Sequence, residues 1–292
     1  MQLQGCYTAL VTPFRDGAVD EDALVRLLDM QVENGVDGIV PVGTTGESPT
    51  LNMDEHKGVI GTVVDRVGDR CTVIAGTGAN STEEAVELTK YARDAGADAT
   101  LQVTPYYNKP TQEGLYRHFA TVADEGGLPV VLYHVPGRTG RGIDVGTVER
   151  LARHGGVAAV KEACGDIDRV SEICARCDTI TVLSGDDSLT LPRMVVGAAG
   201  VISVASNVIP AEVAGLVRAA LAGDWEQARD LHAQFYPLFR DLFLETNPIP
   251  IKAALAMTGM IAEEYRLPLF PMGAENRDQR KATLVYSGVG VQ

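Results

Sequence analysis

The chain has 292 residues, 45% hydrophobic and 22% charged, with 31 glycines and 14 prolines, which is ordinary globular usage and excludes a disordered, collagenous or fibrous protein. A formal charge of -14 repels phosphate backbones and anionic lipid, so neither nucleic acid nor a membrane is an expected partner. A small anionic substrate would need local positive charge of its own.

In chain order, eight short apolar, β-branched runs recur, at 5–11, 38–42, 72–75, 99–103, 129–133, 157–160, 179–183 and 200–204. Amphipathic segments lie between them, with helix starts at Asp20 ahead of Ala23 and Leu24, at Asn52 three before Glu55, and at Ser81 three before Glu84 as a capping box. Gly35, Gly96, Gly126 and Gly155 each follow a periodic segment and precede a run, where a residue tolerant of positive φ closes a helix. The runs read as continuous apolar sequence and not as polar–apolar alternation, so the sheet is expected to be parallel and covered on both faces. Eight such units predict an α/β fold, a (β/α)8 TIM barrel over 1–224. A doubly wound open sheet is the competing architecture. Residues 225–292 read as a helical C-terminal extension, with helices over 225–243 and 250–260 and a segment after Pro271. No Ser/Pro-rich linker separates the two parts, so the extension is expected to pack on the barrel.

The five cysteines, Cys6, Cys71, Cys164, Cys174 and Cys177, are odd in number and fit a reducing compartment. With no basic n-region or apolar h-region at the start, a cytoplasmic location is expected. The uncharged stretch 194–211 is long enough to consider as a membrane helix, but Gly197, Gly200, Ser203, Ser206, Asn207 and Pro210 suit helix end, strand and loop better. Cys174 and Cys177 have CxxC spacing without a second pair, and the five histidines show neither HxH nor HExxH spacing. No metal site or cofactor is expected, and carbonyl chemistry would run through an amine.

In a parallel barrel the functional face is the C-terminal end of the strands. Polar residues there are Thr44 and Thr45 after the second run, Tyr133 closing the fifth, Lys161 closing the sixth and Asp186 after the seventh. A lysine so placed either snorkels to solvent or faces a partly desolvated pocket, where its pKa falls and its neutral amine attacks carbonyl carbon. Tyr133 is one strand away, either a packed ring or a proton carrier. Arg138, in Gly137-Arg138-Thr139-Gly140, is either solvated or the local positive charge that grips a carboxylate. Gly43-Thr44-Thr45-Gly46-Glu47 lacks the ending of a P-loop. It is either an anion-holding turn or a plain strand-to-helix turn. Gly76-Thr77-Gly78-Ala79-Asn80-Ser81 looks like a dinucleotide fingerprint, but Ser81 is better explained as an N-cap.

Together these stretches resemble the dihydrodipicolinate synthase (4-hydroxy-tetrahydrodipicolinate synthase) family of pyruvate-dependent class I aldolase-type lyases, from Gly5 to about Leu269. The resemblance is carried by Gly43-Thr44-Thr45-Gly46-Glu47-Ser48, the 74–80 stretch, Thr104-Pro105-Tyr106-Tyr107-Asn108-Lys109-Pro110 and the 133–140 stretch. Lys161-Glu162-Ala163, Leu183-Ser184-Gly185-Asp186-Asp187 and Asn247-Pro248-Ile249-Pro250-Ile251-Lys252 complete it. It implies that Lys161 forms a Schiff base with pyruvate, whose enamine attacks L-aspartate 4-semialdehyde in the first committed step of diaminopimelate and lysine biosynthesis. It further implies Thr44, Tyr107 and Tyr133 as proton relay, Thr45 on the pyruvate carboxylate, Arg138 on the semialdehyde carboxylate, and Gly185, Asp186 and Ile202 at the substrate. Tyr107 would reach a neighbouring subunit of a homotetramer, a dimer of dimers. Ser48, His56, Asn80, Glu84 and Tyr106 match positions that hold inhibitory lysine in many members, whereas Met53 stands where His is often found. His134 and Cys164 stand where Asn and Thr or Ser are expected. Sister families, N-acetylneuraminate lyases and keto-deoxy sugar acid aldolases, share the barrel and the lysine, and a non-catalytic acid-binding barrel is the reading from another class. Arg138 and the Tyr106-Tyr107 pair favour the synthase.

Overall fold

Each apolar run becomes a strand in the computed structural model, which describes residues 1–292. The strands are β1 (Gly5–Ala9), β2 (Gly38–Val40), β3 (Thr72–Gly76), β4 (Ala99–Val103), β5 (Val130–His134), β6 (Val157–Glu162), β7 (Thr181–Ser184) and β8 (Gly200–Ser203). All pair in parallel and close into one barrel in the order β1-β8-β7-β6-β5-β4-β3-β2. Every residue of β1, β2, β5, β6 and β8 is buried, which is why their sequence does not alternate. Tyr7, Ile74, Leu101, Val131, Leu183 and Ile202 belong to the cluster that fills the barrel, and a larger cluster lies between strands and helices.

One irregularity matters for the site. Val130 of β5 pairs with Val157 of β6, but Val131 pairs with Ala159, so Ala158 is an extra residue, a bulge. From there upward Leu132 faces Val160, Tyr133 faces Lys161 and His134 faces Glu162.

The helices α1 (Glu21–Glu33), α2 (Met53–Val67), α3 (Thr82–Ala95), α4 (Gln112–Gly126), α5 (Val145–His154), α6 (Ile167–Arg176), α7 (Thr190–Val195) and α8 (Pro210–Leu221) follow their strands. Asp20 accepts from Ala23 N at 3.0 Å, and Asn52 and Glu55 exchange bonds of 2.9 and 3.0 Å in a full capping box. Ser81 only accepts, from Glu84 N at 3.5 Å, so its box is one-sided. The left-handed cap of α4 is Gly127 and not the expected Gly126. Gly126 is the last helical residue, and a Cβ there would lie 2.5 Å from the Thr89 methyl, so it is small for packing. A hairpin of Phe14–Arg15 with Ala18–Val19, absent from the sequence reading, turns on Asp16 and Gly17, both at positive φ. Its strands are too short for periodicity, and the Asp-Gly pair is its only signal.

The extension supplies α9 (Trp225–Asp241), α10 (Ile249–Met257) and α11 (Ala274–Tyr286). Here α9 packs on α8, and α11 packs on α9 and α10. The segment from α10 to Arg266 is fastened to the barrel mouth. Lys252 forms a fully buried ion pair with Glu47. Arg266 grips both oxygens of Glu55 at 2.6 Å and bonds Thr50 O at 2.9 Å. No helix is long and apolar enough to cross a membrane. The stretch 194–211 divides among the end of α7, β8, a 3-10 turn and the start of α8.

Candidate active site

Lys161 is the fifth of the six residues of β6, with Tyr133 of β5 on one side and Leu183 of β7 on the other. Its side chain rises inside the barrel, its amine 4.4 Å from the centre of the Tyr133 ring, and the residue is 5% exposed. Burial pulls the ammonium down from 10.5 to about 8, with Asp186 and Asp187 pulling the other way and Arg138 adding to the fall. On the order of one amine in ten is then neutral at pH 7, against fewer than about one in a thousand for an ordinary lysine. Of the two readings the sequence left open, snorkelling is excluded.

The lysine needs room, and Gly185 leaves it. A Cβ at Gly185 would sit 3.1 Å from Lys161 Cε, 3.0 Å from Glu162 O and 2.7 Å from Ala163 Cβ. Tyr133 is buried, and burial raises its phenol against the opposing effects of Arg138 and the nearby Thr44 hydroxyl. It therefore keeps its proton near neutral pH and can give or take one through Thr44.

The loop after β2 holds Thr44 and Thr45 through backbone that few residues adopt: Val42 and Glu47 both have a φ of 54°. Thr12 donates to Gly46 O at 2.7 Å, and Glu47 is pinned by Lys252 and by Arg266 N at 3.3 Å. Thr45 is buried and its hydroxyl accepts from Asn247 Nδ2 at 2.9 Å. Arg138 lies on the helical turn Pro136–Thr139, exposed, with one terminal nitrogen donating to Asn247 O at 3.2 Å and the other to the Thr246 hydroxyl at 3.5 Å. Ile202 lies within the barrel cluster.

Asp186 is paired with the fully buried Arg193 at 2.8 Å, and Arg193 also donates to Glu162 O at 2.7 Å and to the Ser184 hydroxyl at 2.9 Å. Asp187, next along, accepts from the Ser203 hydroxyl at 2.5 Å and from Val204 N and Ala205 N at 3.0 Å, fixing the end of β8. Lys161, Tyr133, Thr44, Thr45, Arg138, Gly185, Asp186 and Ile202 thus share the C-terminal mouth. Tyr107 does not join them: it is 90% exposed, at a φ of 69°.

The second predicted group is partly assembled. Asn80 Nδ2 donates to Tyr106 O at 3.2 Å, and Asn108 Nδ2 donates to Asn80 O at 2.8 Å. Burial raises the Tyr106 phenol and nearby Glu84 adds to it. His56 is buried on α2 with Nε2 2.8 Å from Gly76 O, and Ser48 opens the 3-10 turn Ser48–Thr50.

Two supports escaped the sequence reading. The first is behind the lysine, where Glu162 binds His134 Nδ1 at 2.6 Å and Arg169 Nε at 2.7 Å, and accepts from Cys164 N at 3.2 Å. Burial pushes the Glu162 carboxyl up, but His134 and Arg169 outweigh it and hold it low. His134, Glu162 and Cys164 offer metal-ligand atoms within 4.8 Å of one another. With both Glu162 oxygens engaged and the Arg169 guanidinium against them, the cluster is built for a cation it already contains. The second support is Asn247, which no spacing in the sequence connects to Thr45.

Residues 2–286 match the family described as the Dihydrodipicolinate synthetase family. A relative from Pelobacter propionicus, named 4-hydroxy-tetrahydrodipicolinate synthase, is 54% identical over 96% of both chains. The crystal structure of dihydrodipicolinate synthase from Aquifex aeolicus superposes with a TM-score of 0.98 at 51% identity, covering 99% of this chain and 100% of the other. That of the enzyme from Cyanidioschyzon merolae with lysine bound gives 0.95 at 40% identity, covering 98% of each.

Proposed function

The chain belongs to the dihydrodipicolinate synthetase family, and on that premise we propose that it is a lyase that condenses pyruvate with L-aspartate 4-semialdehyde through a Schiff base on Lys161. The product is 4-hydroxy-tetrahydrodipicolinate. The observation that carries the reading is a buried lysine whose amine is pulled down to about 8 against a buried tyrosine. The relatives' names favour the synthase over the sugar-acid aldolases.

The neutral amine attacks C2 of pyruvate and water leaves, giving an imine that draws electrons from the methyl group. A methyl proton departs, with Tyr133 and Thr44 as relay, and the enamine carbon bonds to the aldehyde carbon of the semialdehyde, whose oxygen takes up a proton. The substrate's own amine then attacks the imine carbon, closes the ring and expels Lys161. One water is released over the cycle. Thr45 holds the pyruvate carboxylate and Arg138 the semialdehyde carboxylate, the local positive charge that an acidic molecule requires. Gly185, Asp186 and Ile202 line the substrate's other side.

The test is to incubate the protein with pyruvate, reduce with borohydride and weigh it. One pyruvate-derived adduct mapped to Lys161 is expected, forming faster as pH rises through about 8. An unmodified mass, or an adduct on another residue, defeats the reading.

Two further parts of the proposal concern assembly and control. The exposed, left-handed Tyr107 supports a homotetramer, a dimer of dimers, in which it enters the neighbouring subunit's site. The Asn80, Tyr106 and Glu84 grouping supports inhibition by lysine, with Ser48 and His56 as the other matching positions, as does the lysine-bound relative. Sedimentation reads the first. No heat of lysine binding in calorimetry, with unchanged activity at millimolar lysine, refutes the second. The cytoplasm is the proposed location.

A further inference from the structure

Thr45 and Arg138 stand on loops after different strands, yet one residue of the C-terminal segment touches both. Asn247 donates from Nδ2 to Thr45 Oγ1 at 2.9 Å, and its main-chain carbonyl accepts from Arg138 at 3.2 Å. Asn247 is itself buried. The loop it meets is tied to the same segment by the Glu47–Lys252 pair and by Arg266 N on Glu47, two residues after Thr45.

Resting on the functional reading above, we infer that Asn247 is the positioning residue of both carboxylate subsites, fixing their separation and the polarity of the Thr45 hydroxyl. A hydroxyl has one proton and two lone pairs. With one lone pair taken by the Asn247 amide, the Thr45 proton is turned away from Asn247 and toward the pyruvate carboxylate. Arg138 is exposed, and its anchor on the Asn247 carbonyl sets where its guanidinium receives the second carboxylate. Asn247 acts on binding and not on bond making at Lys161, because neither of its contacts involves that amine or Tyr133.

One substitution removes the side-chain donation to Thr45 and leaves the main-chain contact with Arg138. In Asn247→Asp an oxygen replaces the donor, so the Thr45 hydroxyl must give its proton to the new carboxylate, which also repels pyruvate. The main-chain carbonyl on Arg138 remains. The KM for pyruvate is expected to rise about 100-fold, the size of a lost charge-assisted hydrogen bond with added repulsion. The KM for the semialdehyde and kcat should stay within about threefold. In a Thr45→Val background the same substitution should cost far less in pyruvate KM, since Thr45 carries the effect.

Wild-type protein trapped with pyruvate and borohydride is the control. Failure to label Lys161 there sinks the functional reading and leaves nothing for Asn247 to position. Labelling of the wild type with an unchanged pyruvate KM in Asn247→Asp overturns the present inference alone, as does an equal rise in both KM values. Should Asn247→Asp not fold, Asn247→Ala decides: a loss confined to kcat overturns the inference, and a rise in pyruvate KM of about tenfold upholds it.

Discussion

Lys161→Met is expected to abolish turnover and to stabilise the protein at once. Without the amine no imine forms, and kcat/KM should fall by at least about four orders of magnitude, as for other nucleophiles that form the covalent intermediate. The stability change follows from the position of the amine, about 8 when folded against 10.5 for the ordinary group. Below pH 8 the lysine is protonated in both states, and the folded protein carries the full cost of the buried ammonium, on the order of 3 kcal/mol. Between 8 and 10.5 the folded state sheds its proton first and the cost shrinks. Above 10.5 both states are neutral and it is gone. Methionine has a similar length and no charge, so the melting temperature at pH 7 should rise by about 5 °C, with the gain fading as pH climbs through this window. A melting temperature at pH 7 equal to that of the wild type would refute the buried-amine argument.

The opposite sign is expected at the other buried lysine. Lys252→Met leaves Glu47 buried without its partner, at a position where the backbone is already left-handed. Breaking a buried pair on one side costs about 3–5 kcal/mol, enough to lower the melting temperature by roughly 10 °C in a chain of this size. The lysine also lies 4.2 Å from the centre of the Phe14 ring and 5.3 Å from that of Tyr265, contacts that methionine keeps as apolar packing. Removing both charges, as in Lys252→Met with Glu47→Gln, should recover most of the loss, because no unpaired charge is then buried. If thermal melts show the double variant no more stable than the single, the pair is not what holds the extension to the mouth.

The two lysines also mark what was legible in the sequence. Lys161 and Tyr133 lie at the ends of runs of buried, β-branched residues, so their place at the strand ends followed from a local pattern, whereas the direction of their side chains did not. The caps at Asp20 and Asn52 were local too, since their partners lie three residues away. Lys252 and Asn247 reach their partners across 205 and 202 residues, and no periodicity or spacing carries such information. The 247–252 stretch supported a family resemblance without disclosing what it touches. The Gly126 and Gly127 exchange is a local ambiguity, since either glycine of the pair can take the left-handed turn and no spacing chooses between them.

The bulge at Ala158 settles a question of parity. Pairing continued from Val130 and Val157 without it would set Tyr133 against Val160 and His134 against Lys161. Because side chains alternate from face to face along a strand, that one-residue slip would turn Lys161 out among the helices and Glu162 in toward the substrate. An inward glutamate offers no amine, and an outward lysine would meet Arg169. The chemistry of the mouth thus hangs on an odd or even count: one alanine, contributing no functional group, decides whether the barrel presents a nucleophile or an acid.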